Sequence, residues 1–236
     1  MSLTPENRYT RMQRNVYESD SQRWNINNRD PVVGSFNAHN NWSDYEFLFK
    51  DIENCENKAV LDFACGPGRN LVKYSSKFKR VDGTDIATKN LQNASLWIQY
   101  NNIDINKHNL ILCNGIDLNS IGNETYDIVM STIAMQHICV YDIRYNYLKE
   151  FYRVLKTGGH ITIQMGYGTP SPSTVDYYAN HYEATSTNRG CDTSIADYTQ
   201  VENDLIRIGF KNFKYYIRPT GPGDCHPNWI FFNAEK

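Results

Sequence analysis

The chain has 236 residues, 40% hydrophobic and 13% aromatic, which suits one sizeable α/β domain with a packed core and excludes a disordered chain. Its formal net charge of −2 gives no overall basic balance to attract nucleic acid or an anionic membrane. No apolar run approaches the roughly 20 residues of a membrane helix, and the opening "MSLTPENRYTRMQRN" lacks the apolar centre of a secretory signal.

Residues 1–44 are polar, Asn-rich and spotted with aromatics. No helical period is sustained, and Pro31 and Gly34 interrupt one. Tyr17, Trp24, Phe36 and Trp42 are larger apolar groups than a loose tail carries, so this segment is expected to be a partly helical arm packed over a domain spanning 45–236.

From there the pattern is regular. "SDYEFLFKDIENC" predicts a helix with Ser43 as N-cap and Phe47, Leu48 and Ile52 on one face. "KAVLDFA" predicts a short buried strand, "RNLVKYSSKF" a helix and "RVDGTDIA" a second strand. "TKNLQNASLWIQYNN" predicts an amphipathic helix showing Leu91, Ala94, Ser95 and Ile98. "NLILCNG" and "YDIVMSTIA" predict two more strands. The helix "YDIRYNYLKEFYRVLK", with Ile143, Tyr147, Phe151 and Leu155 inward, is expected to stop at Gly158–Gly159. The strand "HITIQMG", a helix ending at Gly209, and the strands "FKYYIR" and "WIFFNAEK" follow.

Strands alternating with helices argue for a parallel sheet wrapped by helices. "PTGPGDCHPN" is too short for a crossover helix, so the last two strands must pair antiparallel at a sheet edge. Residues 167–197 form a long, polar insertion of the kind that makes a lid or binding loop.

The six cysteines, at 55, 65, 113, 139, 191 and 225, form no Cys-x-x-Cys pair. Free thiols in a reducing, cytoplasmic setting are expected. His181, Cys191, Cys225 and His226 match no familiar zinc spacing, so no metal is expected.

The loop "VLDFACGPGRN" follows the first strand, at the carboxyl end of the sheet where ligands bind. Its small residues let a ligand approach the backbone, and the N–H groups of the next helix favour negative charge. Two features argue against a dinucleotide. A third glycine is missing, since Leu71 follows Gly66 and Gly68 at that spacing, and Asp62 repels a diphosphate but pairs with an ammonium. A Walker loop is excluded because no Gly-Lys-Ser/Thr follows. Asp85 ends the second strand about twenty residues on, placed to accept from both ribose hydroxyls. Ile86 can lie against a purine face, with Asn114, Gly115 and Ile116 near its other face or edge. An ammonium partner, a ribose acid and an apolar purine slot match the parts of S-adenosyl-L-methionine.

The ordered set "VLDFACGPGRN … VDGTDIA … CNGIDL … YDIVMSTIAMQHI … YLKEFYRVLKTGGHITIQM" resembles the class I S-adenosylmethionine-dependent methyltransferases, in their small-molecule, type 11/12-like branch. The resemblance covers roughly residues 58–165. It implies a Rossmann-like, seven-stranded, mostly parallel sheet with helices on both faces and an antiparallel C-terminal edge hairpin. It also implies cofactor contacts from Asp62, Ala64, Cys65, Gly66, Gly68, Asp85, Ile86, Asn114, Gly115, Ile116, Ser131 and Gln136, with Trp24 and Tyr17 closing from the arm. Ala64 stands where the family has its first loop glycine, a small replacement expected to be tolerated.

Methyl transfer needs alignment of acceptor, methyl and sulfur, and a base only if the acceptor loses a proton. "STIAMQHI" lacks both the Asp/Asn-Pro-Pro-Tyr/Phe arrangement and the Pro-Cys of DNA methylating enzymes. With the charge balance, this disfavours nucleic acid and favours a small-molecule acceptor. His137 is the candidate base or acceptor-orienting group. Asp176, Tyr177, Tyr178, His181, Tyr182 and Arg189 of the insertion, and Asp224 and His226 of the hairpin loop, are candidate acceptor-pocket residues. A nicotinamide-dependent oxidoreductase would explain Gly66, Gly68 and Asp85 but not Asp62 or the hairpin. A non-catalytic cofactor-binding module is also compatible with the residues.

Overall fold

A computed structural model describes residues 4–28, 45–183 and 192–236. The positions Phe36, Trp42, Ser43, Arg189 and Cys191 lie outside the described residues.

The sheet is built on β1 (Ala59–Phe63), β2 (Arg80–Asp85), β3 (Leu110–Leu112), β4 (Tyr126–Thr132) and β5 (Leu155–Tyr167), in parallel order 3-2-1-4-5. β9 (Asn228–Glu235) runs antiparallel to β5, and β8 (Lys211–Pro219) pairs antiparallel with β9 as the edge. These seven strands are the expected set.

Two more strands come from the insertion, β6 (Thr174–Asp176) and β7 (Asp192–Ile195), making nine. β4 follows β5 as far as Gln164, and β7 pairs with β5 at Gly166 and Tyr167. β9 already occupies the other side of those two residues. A strand has two bonding edges, so β7 extends the sheet beyond the carboxyl end of β4.

The helices are α1 (Pro5–Asp20), α2 (Tyr45–Phe49), α3 (Arg69–Tyr74), α4 (Thr88–Tyr100), α5 (Tyr141–Val154) and α6 (Tyr198–Ile208). Period-two alternation along the strands feeds two cores. Leu61, Phe63, Val129, Ile230 and Phe232 face the α5 and α6 side, while Val60, Ile128, Met130 and Phe231 face the α2, α3 and α4 side. Each such side chain stabilises by about 1.5–3 kcal/mol as an upper estimate. No helix among the described residues is long and apolar enough to cross a membrane. Cys55, Cys65, Cys113, Cys139 and Cys225 are free thiols.

Several boundaries differ from expectation. α5 ends at Val154, before the glycines, because Leu155 turns extended (φ −73°, ψ 139°), pairs with Tyr126 and is buried as the first residue of β5. Gly158 and Gly159 instead make an irregularity in β5 that binds the chain terminus: Gly158 N–H donates to Lys236 O (3.0 Å) and Lys236 N–H donates to Gly159 O (2.9 Å). α2 and α3 are shorter than predicted, and Ile52 lies beyond α2. α1 is a full 16-residue helix, started by a Thr4 side-chain cap with Pro5 at its first turn.

Candidate active site

A cavity of about 390 Å³ lies where the carboxyl ends of β1, β2, β3 and β4 meet α1 and the insertion. Of the expected residues, Trp24, Ala64, Cys65, Gly66, Asp85, Ile86, Gly115 and His137 line it, as does Tyr17. Asp62, Gly68, Asn114, Ile116, Ser131 and Gln136 do not.

The displaced residues have physical reasons. Asp62 is buried beneath the loop, where the Asn70 amide donates to its Oδ1 (3.3 Å) and to Thr132 Oγ1 (2.9 Å), so Asn70 takes the cavity wall. Burial, offset in part by Asn70, pushes the Asp62 carboxyl up to about 7. Gly68 begins α3 at φ +85°, and a Cβ there would lie 2.8 Å from Ala94 Cβ, so this glycine serves close α3–α4 packing. Asn114 is exposed and folds a local turn by accepting from Ile116 N–H (2.7 Å) and Asp117 N–H (2.9 Å). Ile116 is half-buried and its carbonyl accepts from Asn146 (2.8 Å). Ser131 and Gln136 are fully buried.

Asp85 organises the loop. Its Oδ2 accepts from Gly66 N–H (2.9 Å), and its Oδ1 accepts from Ala87 N–H (2.8 Å) and the Asn90 amide (3.1 Å). Burial raises its pKa against these bonds. Ala64 has φ +55° and Gly66 φ +53°. The left-handed region costs a residue with a Cβ about 1–2 kcal/mol, so Ala64 keeps the glycine conformation at a small penalty. Ile133, at the end of β4 on the cavity wall, is also left-handed at φ +53°, a conformation β-branched residues seldom adopt outside functional loops.

Sequence reasoning missed most of what α1 does. Gln13 donates to His137 O (2.8 Å), Tyr9 OH accepts from Cys139 N–H (2.8 Å), and Arg14 donates to Ile86 O (3.3 Å). The Glu18 carboxylate accepts from Thr88 N–H (2.7 Å) and Lys89 N–H (3.1 Å), capping α4, which has no side-chain cap of its own. The signal available was "TPEN" itself, a capping threonine followed by proline.

Asp192, at the start of β7, was also missed. Its Oδ1 accepts from His137 Nδ1 at 2.7 Å, and both residues line the cavity. Burial lowers the His137 pKa, but the charge and hydrogen bond of Asp192, with a smaller contribution from the Ile133 backbone, outweigh it and the net shift is upward. Burial opposes the Asp192 charge as well, yet the two histidines beside it hold its carboxyl far below the usual range. In the neutral imidazole, Nδ1–H on the carboxylate leaves the lone pair on Nε2, while the raised pKa favours the imidazolium. The buried Arg144 fixes this side. Its guanidinium donates to Ile138 O, to Tyr177 O and to Thr193 Oγ1 (2.9 Å), tying the loop after β4 to two parts of the insertion. The expected acceptor residues Asp176, Tyr177, Tyr178, His181, Tyr182, Asp224 and His226 do not line the cavity. Tyr177 instead donates to Asp204 (3.1 Å) and His226 sits behind Asp192.

The charged wall comprises the acids Asp20, Asp85 and Asp192, with Arg69 and His137. Such an acid-rich wall suits a cationic ligand and opposes a pyrophosphate, against the oxidoreductase alternative.

Residues 60–159 match the family model for a methyltransferase domain. This match supports the sequence resemblance to the class I S-adenosylmethionine-dependent methyltransferases over residues 60–159. No curated protein sequence matches the chain. Among solved structures, phosphoethanolamine N-methyltransferase 2 of Haemonchus contortus, in complex with S-adenosyl-L-methionine, is 18% identical, with a TM-score of 0.67 covering 100% of this chain and 60% of that one. An S-adenosylmethionine-dependent methyltransferase of Mesorhizobium loti is 16% identical, with a TM-score of 0.62 over 83% of this chain and 97% of that one. The [4+2]-cyclase SpnF is 12% identical, with a TM-score of 0.62 over 82% and 80%. At these identities the likeness is one of fold.

Proposed function

We propose that the chain is an S-adenosyl-L-methionine-dependent methyltransferase acting on a small or medium organic acceptor, through a hydroxyl or amine that gives its proton to His137. The observation that carries this reading is the cavity at the ends of β1–β4, walled by Asp20, Asp85 and Asp192 and lined on one side by the His137–Asp192 pair.

The residues fit the cofactor. The Ala64–Gly66 backbone offers close approach to the methionine part. Asp85 Oδ2 has one protein donor and room for a ribose hydroxyl. Ile86 and Gly115 both line the cavity where the adenine would lie, and they pack together: a Cβ on Gly115 would press to 2.7 Å from Ile86 Cδ1 and 2.9 Å from Thr10 Cγ2. Asp62 acts on the ligand ammonium from behind Asn70. Tyr17 of α1 and Trp24 just beyond it line the cavity, which supports reading the N-terminal segment as an arm that closes over the cofactor, and the 167–197 insertion supplies Asp192 to the acceptor side. The free thiols suit a reducing compartment such as the cytoplasm.

Bound there, S-adenosylmethionine supplies a methyl group on a positively charged sulfur. The chain's part is to align the acceptor, exclude water and receive a proton. Nε2 of His137 accepts that proton, and Asp192 holds the imidazole in the receptive tautomer and stabilises its charge afterwards. Calorimetry tests the reading directly. S-adenosylhomocysteine is expected to bind and NAD not to bind. Labelled cofactor is expected to transfer its methyl to members of a panel of phenols and amines. Absence of S-adenosylhomocysteine binding at millimolar concentration would sink the proposal.

A further inference from the structure

Behind the cavity wall, the turn between β8 and β9 brings Cys225 and His226 to Asp192, more than thirty residues earlier in the chain. Its Oδ2 lies 3.5 Å from Nε2 of His226 and 3.5 Å from Sγ of Cys225, and the three ligand atoms all fall within 4.8 Å of one another. His226 is 1% exposed; its Nδ1 has no partner, and its Nε2 makes no well-formed hydrogen bond, only the long 3.5 Å approach to Asp192. A buried imidazole so poorly satisfied is costly. The chain nevertheless makes room for it. A Cβ on Gly166 would sit 2.1 Å from the His226 ring, and one on Gly168 would sit 2.2 Å from Pro227. Two glycines at the end of β5 thus seat the Cys225-His226-Pro227 turn in one place.

We propose that Asp192, Cys225 and His226 form a binding site for a divalent transition metal, zinc by preference. Tetrahedral zinc, with bonds of about 2.0–2.3 Å, holds neighbouring O, N and S ligand atoms about 3.4–3.6 Å apart, and both 3.5 Å separations meet that. One thiolate, one imidazole and one carboxylate form a donor set that selects zinc over magnesium or calcium. The metal satisfies His226 Nε2, replaces the Cys225 thiol proton, which is released to solvent, and leaves Asp192 Oδ1 on His137. It ties β7 to the β8–β9 turn and so fixes Asp192 as the orienting partner of His137. The site stands independently of the methyl-transfer reading.

Cobalt(II) added to the purified full-length chain tests it. The expected result is a thiolate-to-cobalt charge-transfer band with intense tetrahedral visible bands, displaced by zinc. Cys225→Ser abolishes the charge-transfer band, and Cys225→Ser and His226→Gln each weaken zinc affinity at least about 100-fold. Zinc raises the Tm of the wild-type chain and not that of Cys225→Ser. A folded wild-type chain without the band overturns the proposal, whatever the variants do. A band that persists at full strength in Cys225→Ser overturns it too, since another cysteine then holds the metal.

Discussion

The two halves of the cavity are made differently. The half at β1 and β2 is local: Asp85 holds Gly66, Ala87 and Asn90, largely through backbone groups, and the conformation of one loop does the positioning. The half at β4 is assembled from afar. His137 and Asp192 are 55 residues apart, and Arg144 reaches from α5 to bring their segments together. A local half can be written in a short motif, whereas a long-range half depends on packing that only the whole fold supplies.

The sharpest way to separate the halves is His137→Gln. It is expected to lower kcat by about 10²- to 10⁴-fold while S-adenosylhomocysteine affinity stays unchanged by calorimetry. A parallel loss of affinity would mean that the halves are not separable. Arg144→Met comes next. It leaves Tyr177 O and Thr193 Oγ1 without their donor and Ile138 O with only Thr193 Oγ1 (3.3 Å), and a loss of about 3 kcal/mol in urea unfolding is expected. A loss below about 1 kcal/mol would show that the insertion is held by other contacts.

Asp62 probes the local half through pH. Its folded pKa of about 7 stands above its unfolded value of about 3.9. The folded chain therefore holds the proton longer, and this group's contribution to stability is lost as pH rises from about 4 to 7. A ligand ammonium favours the carboxylate, so S-adenosylhomocysteine affinity is expected to rise with pH through 7, by up to about tenfold. Asp62→Asn should flatten that rise, and an unchanged profile in the variant would detach Asp62 from the ligand. The smallest effect is expected from Glu18→Ala, which uncaps α4 and loosens α1 at a cost of about 0.5–1 kcal/mol in thermal unfolding.

The same asymmetry governs what could be read beforehand. The strands from β1 to β5 and the hairpin were legible because buried strands alternate in period two and the hairpin connection is too short to cross over. The cofactor loop was legible as a loop, but which atoms face the cavity was not. Asp62 and Asn70 differ there only by which side chain stands in front. Thr4–Pro5 is a helix-start signal that went unread, because a helix that buries only Tyr9, Thr10 and Gln13 shows too thin an apolar stripe for periodicity to detect. The end of α5 was misplaced because Gly158 is a strong stop signal in the wrong role: tertiary pairing of Leu155 with Tyr126 ended the helix first. Asp192 gave no signal, being one acid in a polar insertion until β7 fixes it beside His137.

Gly166 and His226 carry a consequence for descent. The ring at 226 occupies the volume that any side chain at 166 would need. The two positions should therefore change together among relatives: a residue larger than glycine at 166 should accompany a small residue at 226. Where that exchange has happened, Asp192 has lost its neighbour behind the wall, and the lineage should have settled the orientation of the residue at 137 by another route.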